Sequence, residues 1–166
     1  MIGRTLPTVV GLAVLGLAGC GSAGAQPAVT ASASGPTVQV APGAVLTGPA
    51  TLAVTGRGFD ERKGIYVAFC VQPPAGEPPS PCGGGVDTTG ESGASAWVSS
   101  DPPPYGAGLA VPYGPGGSFD VQIRATAHIG DVDCREMVCG VAARADHTRT
   151  TDRTQDVFIP ITFEEK

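Results

Sequence analysis

The chain has 166 residues, a formal net charge of −5, 42% hydrophobic side chains but only 5% aromatic ones, and 25 glycines with 16 prolines. Its acidic groups are scattered and no basic run occurs, which excludes nucleic-acid binding driven by charge. No stretch after the first twenty residues keeps a helical apolar period for more than two turns without a Gly or Pro interruption, which excludes a helical body.

The first element is an apolar segment from Leu6 to Leu17, preceded by Arg4 and closed by Leu17-Ala18-Gly19-Cys20. About a dozen apolar residues fall short of the roughly 20 that a membrane span needs, and the pattern is that of a secretory signal. The closing four residues are a bacterial lipobox, so residues 1–19 read as a lipoprotein signal peptide and Cys20 as the lipidated new N-terminus. Acyl chains of the palmitate type on Cys20 would hold the protein at the extracytoplasmic face of the cell membrane. An ordinary secretory signal that happens to contain a cysteine is the alternative. Residues 20–36 hold almost only Ala, Gly, Ser, Thr and Pro after Cys20 and read as a flexible tether. Residues 37–166 then form one domain of ordinary size.

Short strands separated by turn residues follow. Thr37 to Val40 and Thr51 to Thr55 are β-rich, and the second runs into the turn-like Gly56-Arg57-Gly58-Phe59-Asp60. Ile65 to Val71 is apolar on both faces, as a central strand requires, and Ser95 to Ser99 carries the single tryptophan, Trp97. Phe119, Val121, Ile123 and Ala125 alternate with polar residues, the clearest period of two in the chain. Cys139 to Ala143 and Val157 to Phe163 complete the set, and Pro160 predicts that the last strand lies at an edge or carries a bulge. Seven short strands with dense turns imply an all-β, immunoglobulin-like β-sandwich.

Cys70, Cys82, Cys134 and Cys139 remain after Cys20, an even number that predicts two bridges in an exported chain. A Cys70 to Cys134 bridge across the sheets would follow antibody domains, but Trp97 lies too far from Cys70 for that pattern. Local pairing, Cys70 with Cys82 and Cys134 with Cys139, is the favoured reading, each bridge contributing roughly 2 to 3 kcal/mol on the loop-entropy model. Metal ligation is the rival. It is disfavoured because no Cys-x-x-Cys occurs and neither His128 nor His147 has zinc-ligand spacing, so neither metal nor cofactor is expected.

Two segments stand out as candidate recognition surfaces. Ser99 to Ser118 is longer than a connection needs to be, and it presents Tyr105 and Tyr113 in Pro-Tyr-Gly units that could flank a ligand with Trp97 nearby. Alternatively both tyrosines fold down and seal the core, with Leu109 and Val111 as pins. Asp146 to Asp156 reads as a polar loop in which Asp and Thr side chains bond backbone donors and arginines bridge acids. Within it His147 could contact a metal or haem, or simply be solvated. No motif for nucleophilic, phosphate-binding or zinc chemistry is present, and catalysis is not expected.

Gly56-Arg57-Gly58-Phe59, the strand ending at Cys70, the nearby Cys82, the Asp133-Cys134 to Cys139 loop, Gly140-Val141-Ala142 and Ile159-Pro160-Ile161-Thr162-Phe163 together resemble the neocarzinostatin-like apoproteins. The resemblance spans Thr37 to Phe163 and implies a seven-stranded sandwich with two local disulfides and an apolar enediyne chromophore held in a cleft between sandwich and hairpins. A lipoprotein signal and the long Ser99 to Ser118 insertion depart from that pattern. A further resemblance, through Gly64-Ile65-Tyr66-Val67 and Gln155-Asp156-Val157-Phe158-Ile159-Pro160, is to secreted sandwiches that accompany haem-uptake proteins in actinobacteria. The expectation is a non-enzymatic cell-envelope lipoprotein binding a small apolar ligand or an envelope protein partner. A structural or assembly module, or a chromophore or haem carrier, is the alternative.

Overall fold

The computed structural model describes residues 29–31, 35–84, 89 and 91–164, so the signal segment, Cys20 and most of the expected tether lie outside the described residues. The strands run in chain order β1 (Val29–Ala31), β2 (Thr37–Ala41), β3 (Val45–Leu46), β4 (Ala50–Arg57), β5 (Ile65–Val71), β6 (Ser95–Val98), β7 (Phe119–Ala125), β8 (His128–Ile129), β9 (Val132–Asp133), β10 (Cys139–Ala145) and β11 (Val157–Phe163). One sheet is ordered β1-β2-β4-β7, the second β3-β11-β10-β5-β6, and β8-β9 form a two-stranded ribbon. The strands of four or more residues correspond to the segments that alternation and turns mark in the sequence. The fold is an immunoglobulin-like all-β sandwich with two local disulfides, Cys70–Cys82 and Cys134–Cys139.

Side-chain alternation fixes which face each strand buries. On β7 Phe119, Val121, Ile123 and Ala125 are buried and the residues between them exposed. Together with Val38 and Val40 of β2 and Leu52 and Val54 of β4 they meet Ile65, Val67, Phe69, Val141, Ile159 and Ile161 of the facing sheet in one apolar core. A register slip of one residue would turn every one of these outward. β5 is buried on both faces because its reverse side is also covered: Ala68 and Cys70 pack with Ala142, Cys82 and Phe158 in a second, smaller cluster. This explains the continuous apolar run of a strand flanked by β10 and β6.

Pro160 sits where a missing donor is harmless. The amides of Thr162 and Glu164 donate outward to Ala44 O and Leu46 O of the β3 segment. Since N–H direction alternates along a strand, position 160 faces the same side, and β3 pairs only with Thr162 and Phe163. The N-terminal boundary differs from expectation. Val29–Ala31 pairs antiparallel with Val40 to Val38, so the sandwich begins inside the segment read as tether.

The turn after β4 is fastened to the turn before β7. Phe59 donates its amide to Gly117 O and Gly117 donates to Glu61 Oε1 (2.8 Å). Gly117 has φ +62°, and a Cβ there would lie 1.8 Å from Phe59 O, so backbone contact leaves room for no side chain. Gly117→Ala is expected to destabilise the fold by more than about 2 kcal/mol in urea unfolding, combining left-handed strain with the clash. A loss under about 0.5 kcal/mol, the level of an ordinary surface change, would contradict this reading.

Candidate functional site

β6 pairs with β5 only from Ile65 to Ala68. Beyond Ala68 the same edge of β5 is taken by Pro81 to Gly83: Val71 N–H donates to Pro81 O (3.0 Å), Gly83 N–H donates to Phe69 O (2.8 Å), and Cys70 is bonded to Cys82. Of the chain between these two segments, the described residues Gly84 and 91–94 form an arm beside the sheet. It touches β7 again where Arg124 N–H donates to Gly93 O (2.6 Å). Between the arm and the turn from β7 into β8 lies a cleft of about 540 Å³, bordered by Gly83, Gly84, Ser92 and Ala94 on one side and Arg124, Thr126, His128 and Gly130 on the other. Phe69 and Ile129, both buried, and Cys82 supply its apolar inner surface. Arg124 makes this side of the cleft cationic.

That polar side is locally braced. Thr126 donates its hydroxyl to His128 O (2.7 Å), and His128 Nε2 lies 3.6 Å from Asp133 Oδ2 across the β8-β9 ribbon. The Arg135 amide and guanidinium both donate to Asp133, and this holds its carboxyl below the usual carboxylate range.

The residues singled out in the sequence lie at the opposite end of the sandwich. Trp97, Tyr105 and His147 come together there with Tyr66, while Tyr113 does not join them. The imidazole of His147 sits between two phenols, with Tyr66 Oη on Nδ1 and Tyr105 Oη 2.7 Å from Nε2. A neutral imidazole has one N–H and one bare nitrogen, so one phenol accepts and the other donates. Both ring nitrogens are thereby occupied, which leaves no lone pair directed at a metal or haem iron. Trp97 lies under Tyr105 (6.4 Å, stacked) and edge-on to His147 (5.2 Å), and its ring rests on the backbone of Gly106, where a Cβ would be 2.3 Å away. Burial first, and the Asp146 carboxylate second, push the Tyr66 phenol above its ordinary pKa.

Tyr113 and the insertion seal this end. Tyr113 packs on Phe59 and donates its hydroxyl to Lys63 O (3.0 Å), and burial raises its pKa. The two tyrosines are thus held apart: Tyr105 remains 65% exposed on top of Trp97, while Tyr113 packs on Phe59. Leu109 and Val111 are exposed rather than pins. Val111 instead bridges Val98, and Pro104–Gly106 makes a single 3₁₀ turn.

The 146–156 loop is tied as its composition suggests. Asp146 accepts from the amide and hydroxyl of Thr148, and Asp152 likewise from Thr154. Lys63 bonds Asp152 (2.8 Å), the largest cause of an Asp152 pKa far below the ordinary value. Arg153 pairs with Asp156 (3.0 Å), yet desolvation leaves the Asp156 pKa raised.

The cleft residues Phe69, Ala94, Arg124, His128 and Ile129 are not visible as a group in the sequence. Only the resemblance pointed to a cleft beside a hairpin, and only the period of β7 could have placed Arg124 on its outer face. Tyr66 was passed over because a lone aromatic in a buried strand reads as core.

No family model matches the chain, and neither does any curated protein. Among solved structures, macromomycin is similar, at 19% sequence identity over 78% of this chain and 99% of that chain, with a TM-score of 0.48.

Asp146 is buried and accepts from Trp97 Nε1 (3.0 Å) as well as Thr148. Asp146→Ala orphans these donors and is expected to cost about 2–3 kcal/mol, with a red shift of Trp97 emission. Unfolding curves and emission spectra unchanged from the parent would contradict the assignment.

Proposed function

We propose that this chain is a non-enzymatic, lipid-anchored carrier of the cell envelope that holds a small, largely apolar molecule in the cleft beside Cys82. The observation that carries the reading is the cleft itself. About 540 Å³ falls within the range of small-molecule sites, and such sites combine an apolar interior with a few fixed polar groups. Phe69, Cys82 and Ile129 offer the first, and Arg124, Thr126 and His128 the second. The resemblance to neocarzinostatin-like apoproteins also places a ligand between sandwich and hairpins, which is where this cleft lies.

The anchor reading rests on the lipobox ending at Cys20. A carrier held at a membrane needs no catalytic group, and both ring nitrogens of His147 are engaged by phenols. A passive spacer would satisfy the sealed Trp97 end but gives no reason for a cleft between Ala94 and His128.

Titration with Nile red, followed by the dye's own emission, is expected to saturate at one equivalent. Ala94→Trp, which fills the cleft from the arm side, should weaken the dye by about tenfold or more, equal to about 1.4 kcal/mol. Its unfolding midpoint should stay near the parent's. Equal dye affinity in both proteins would refute the cleft as the binding site.

A further inference from the structure

The strand registers place the cleft and the cystine loop at one end of the sandwich. Val29, where β1 begins, pairs with Val40, level with Val54 and Val121 in the middle of the sheet, and Ala31 lies level with Gly56 toward the far end, so β1 runs away from the cleft end. Ala50 pairs with Ala125 at the end of β7, immediately before the cleft residues Thr126 and His128. Ala127 O accepts the amide of Cys134, so the Cys134–Cys139 loop leaves from the same end, and Cys139 re-enters opposite Val71 and Ile161. Cleft and cystine loop thus share an end, the one β1 runs away from, and Trp97, Tyr105 and His147 occupy the other.

The cystine loop holds two apolar side chains out in water. Met137 is 54% exposed and Val138 52% exposed, and they are adjacent. Their backbone is not free to turn them in: Met137 N–H donates to Asp133 O (3.0 Å), Val138 O accepts from Gln72 N–H (2.8 Å), and the bridge closes the loop. Val45, also exposed, lies at this end beside Thr162. Charge around the loop is mixed, since Arg135 is clasped by Asp133 and Glu136 stands next to it. Nothing here favours a strongly charged partner.

We propose that this end is a membrane-facing surface, with Met137 and Val138 entering the interface of the bilayer that carries Cys20. The inference rests on the anchor reading above. Its occupant follows from chain length: nine residue steps separate Cys20 from Val29, so at roughly 3.6 Å per residue the anchor lies within about 32 Å of the start of β1. A domain tethered that closely, with β1 running away from the cystine-loop end, meets the bilayer with that end first. Two adjacent apolar side chains on a rigid loop then exchange water for the acyl boundary, as interfacial apolar residues do. The cleft opens beside the same surface, which makes a membrane-borne amphiphile its ligand class. The apolar part would lie against Phe69 and Ile129 and the head group by Arg124.

The test uses the full acylated chain reconstituted in neutral phosphatidylcholine vesicles with brominated acyl chains. Trp97 is the single native tryptophan, and its partner Tyr66 lies five residues along β5 from Val71, about 17 Å at the rise of a strand. In a Trp97→Phe background, Met137→Trp and, separately, Val138→Trp are expected to show blue-shifted emission quenched by half or more. Native Trp97 should lose less than a tenth of its emission. Unquenched reporters at both loop positions, or equal quenching of Trp97, overturn the surface while leaving the anchor standing. An unmodified Cys20 thiol, found by mass spectrometry of the chain recovered from its own membranes, overturns the anchor and the surface together.

Discussion

The Cys70–Cys82 bridge decides the shape of this molecule's working end. Cys70 lies on the reverse face of β5, and bonding it to Cys82 folds the intervening loop back so that Pro81 to Gly83 take the edge of β5 that β6 leaves open. One strand edge is thus served by two separate segments. Between them the described residues Gly84, Ser92 and Ala94 border the cleft. The bridge also covers Ala68 and Ala142, so the same bond that shapes the cleft buries the reverse side of the central strand.

The two ends of the sandwich are built from different physics. At the far end aromatic rings, an imidazole held between two phenols, and a buried carboxylate close the core with hydrogen bonds, and a long Gly- and Pro-rich insertion is laid flat over them. The imidazole, the two phenols on it and the Asp146 carboxylate all find partners within the protein. At the near end glycines line one side of the cleft, apolar side chains point outward from a cystine loop, and Arg124 projects beside an apolar floor.

The sandwich was legible because alternation is a local signal: Phe119 to Ala125 and Val157 to Phe163 declare their buried faces within a few residues, and Pro160 declares an edge. Cystine pairing was legible from loop lengths for the same reason. Val29–Ala31 escaped notice because a three-residue edge strand flanked by small residues has no apolar period to read. The aromatic cluster was legible only in part. Trp97, Tyr105 and His147 stand out as residue types, but their convergence on Tyr66 is set by tertiary contacts up to 81 residues apart in sequence, and nothing local tells Tyr105, which meets His147, from Tyr113, which turns under onto Phe59. The cleft is harder still, since it exists only because one strand edge changes partner midway.

The measurement that bears most directly on this account is amide chemical-shift mapping of the chain from Cys20 onward as Nile red is added. The account predicts that the perturbed amides are those of Phe69, Gly83, Ala94, Arg124 and Ile129, with Trp97, Tyr105 and His147 unmoved. Shifts concentrated at Trp97, Tyr105 and His147, with the residues around Cys82 silent, would contradict it.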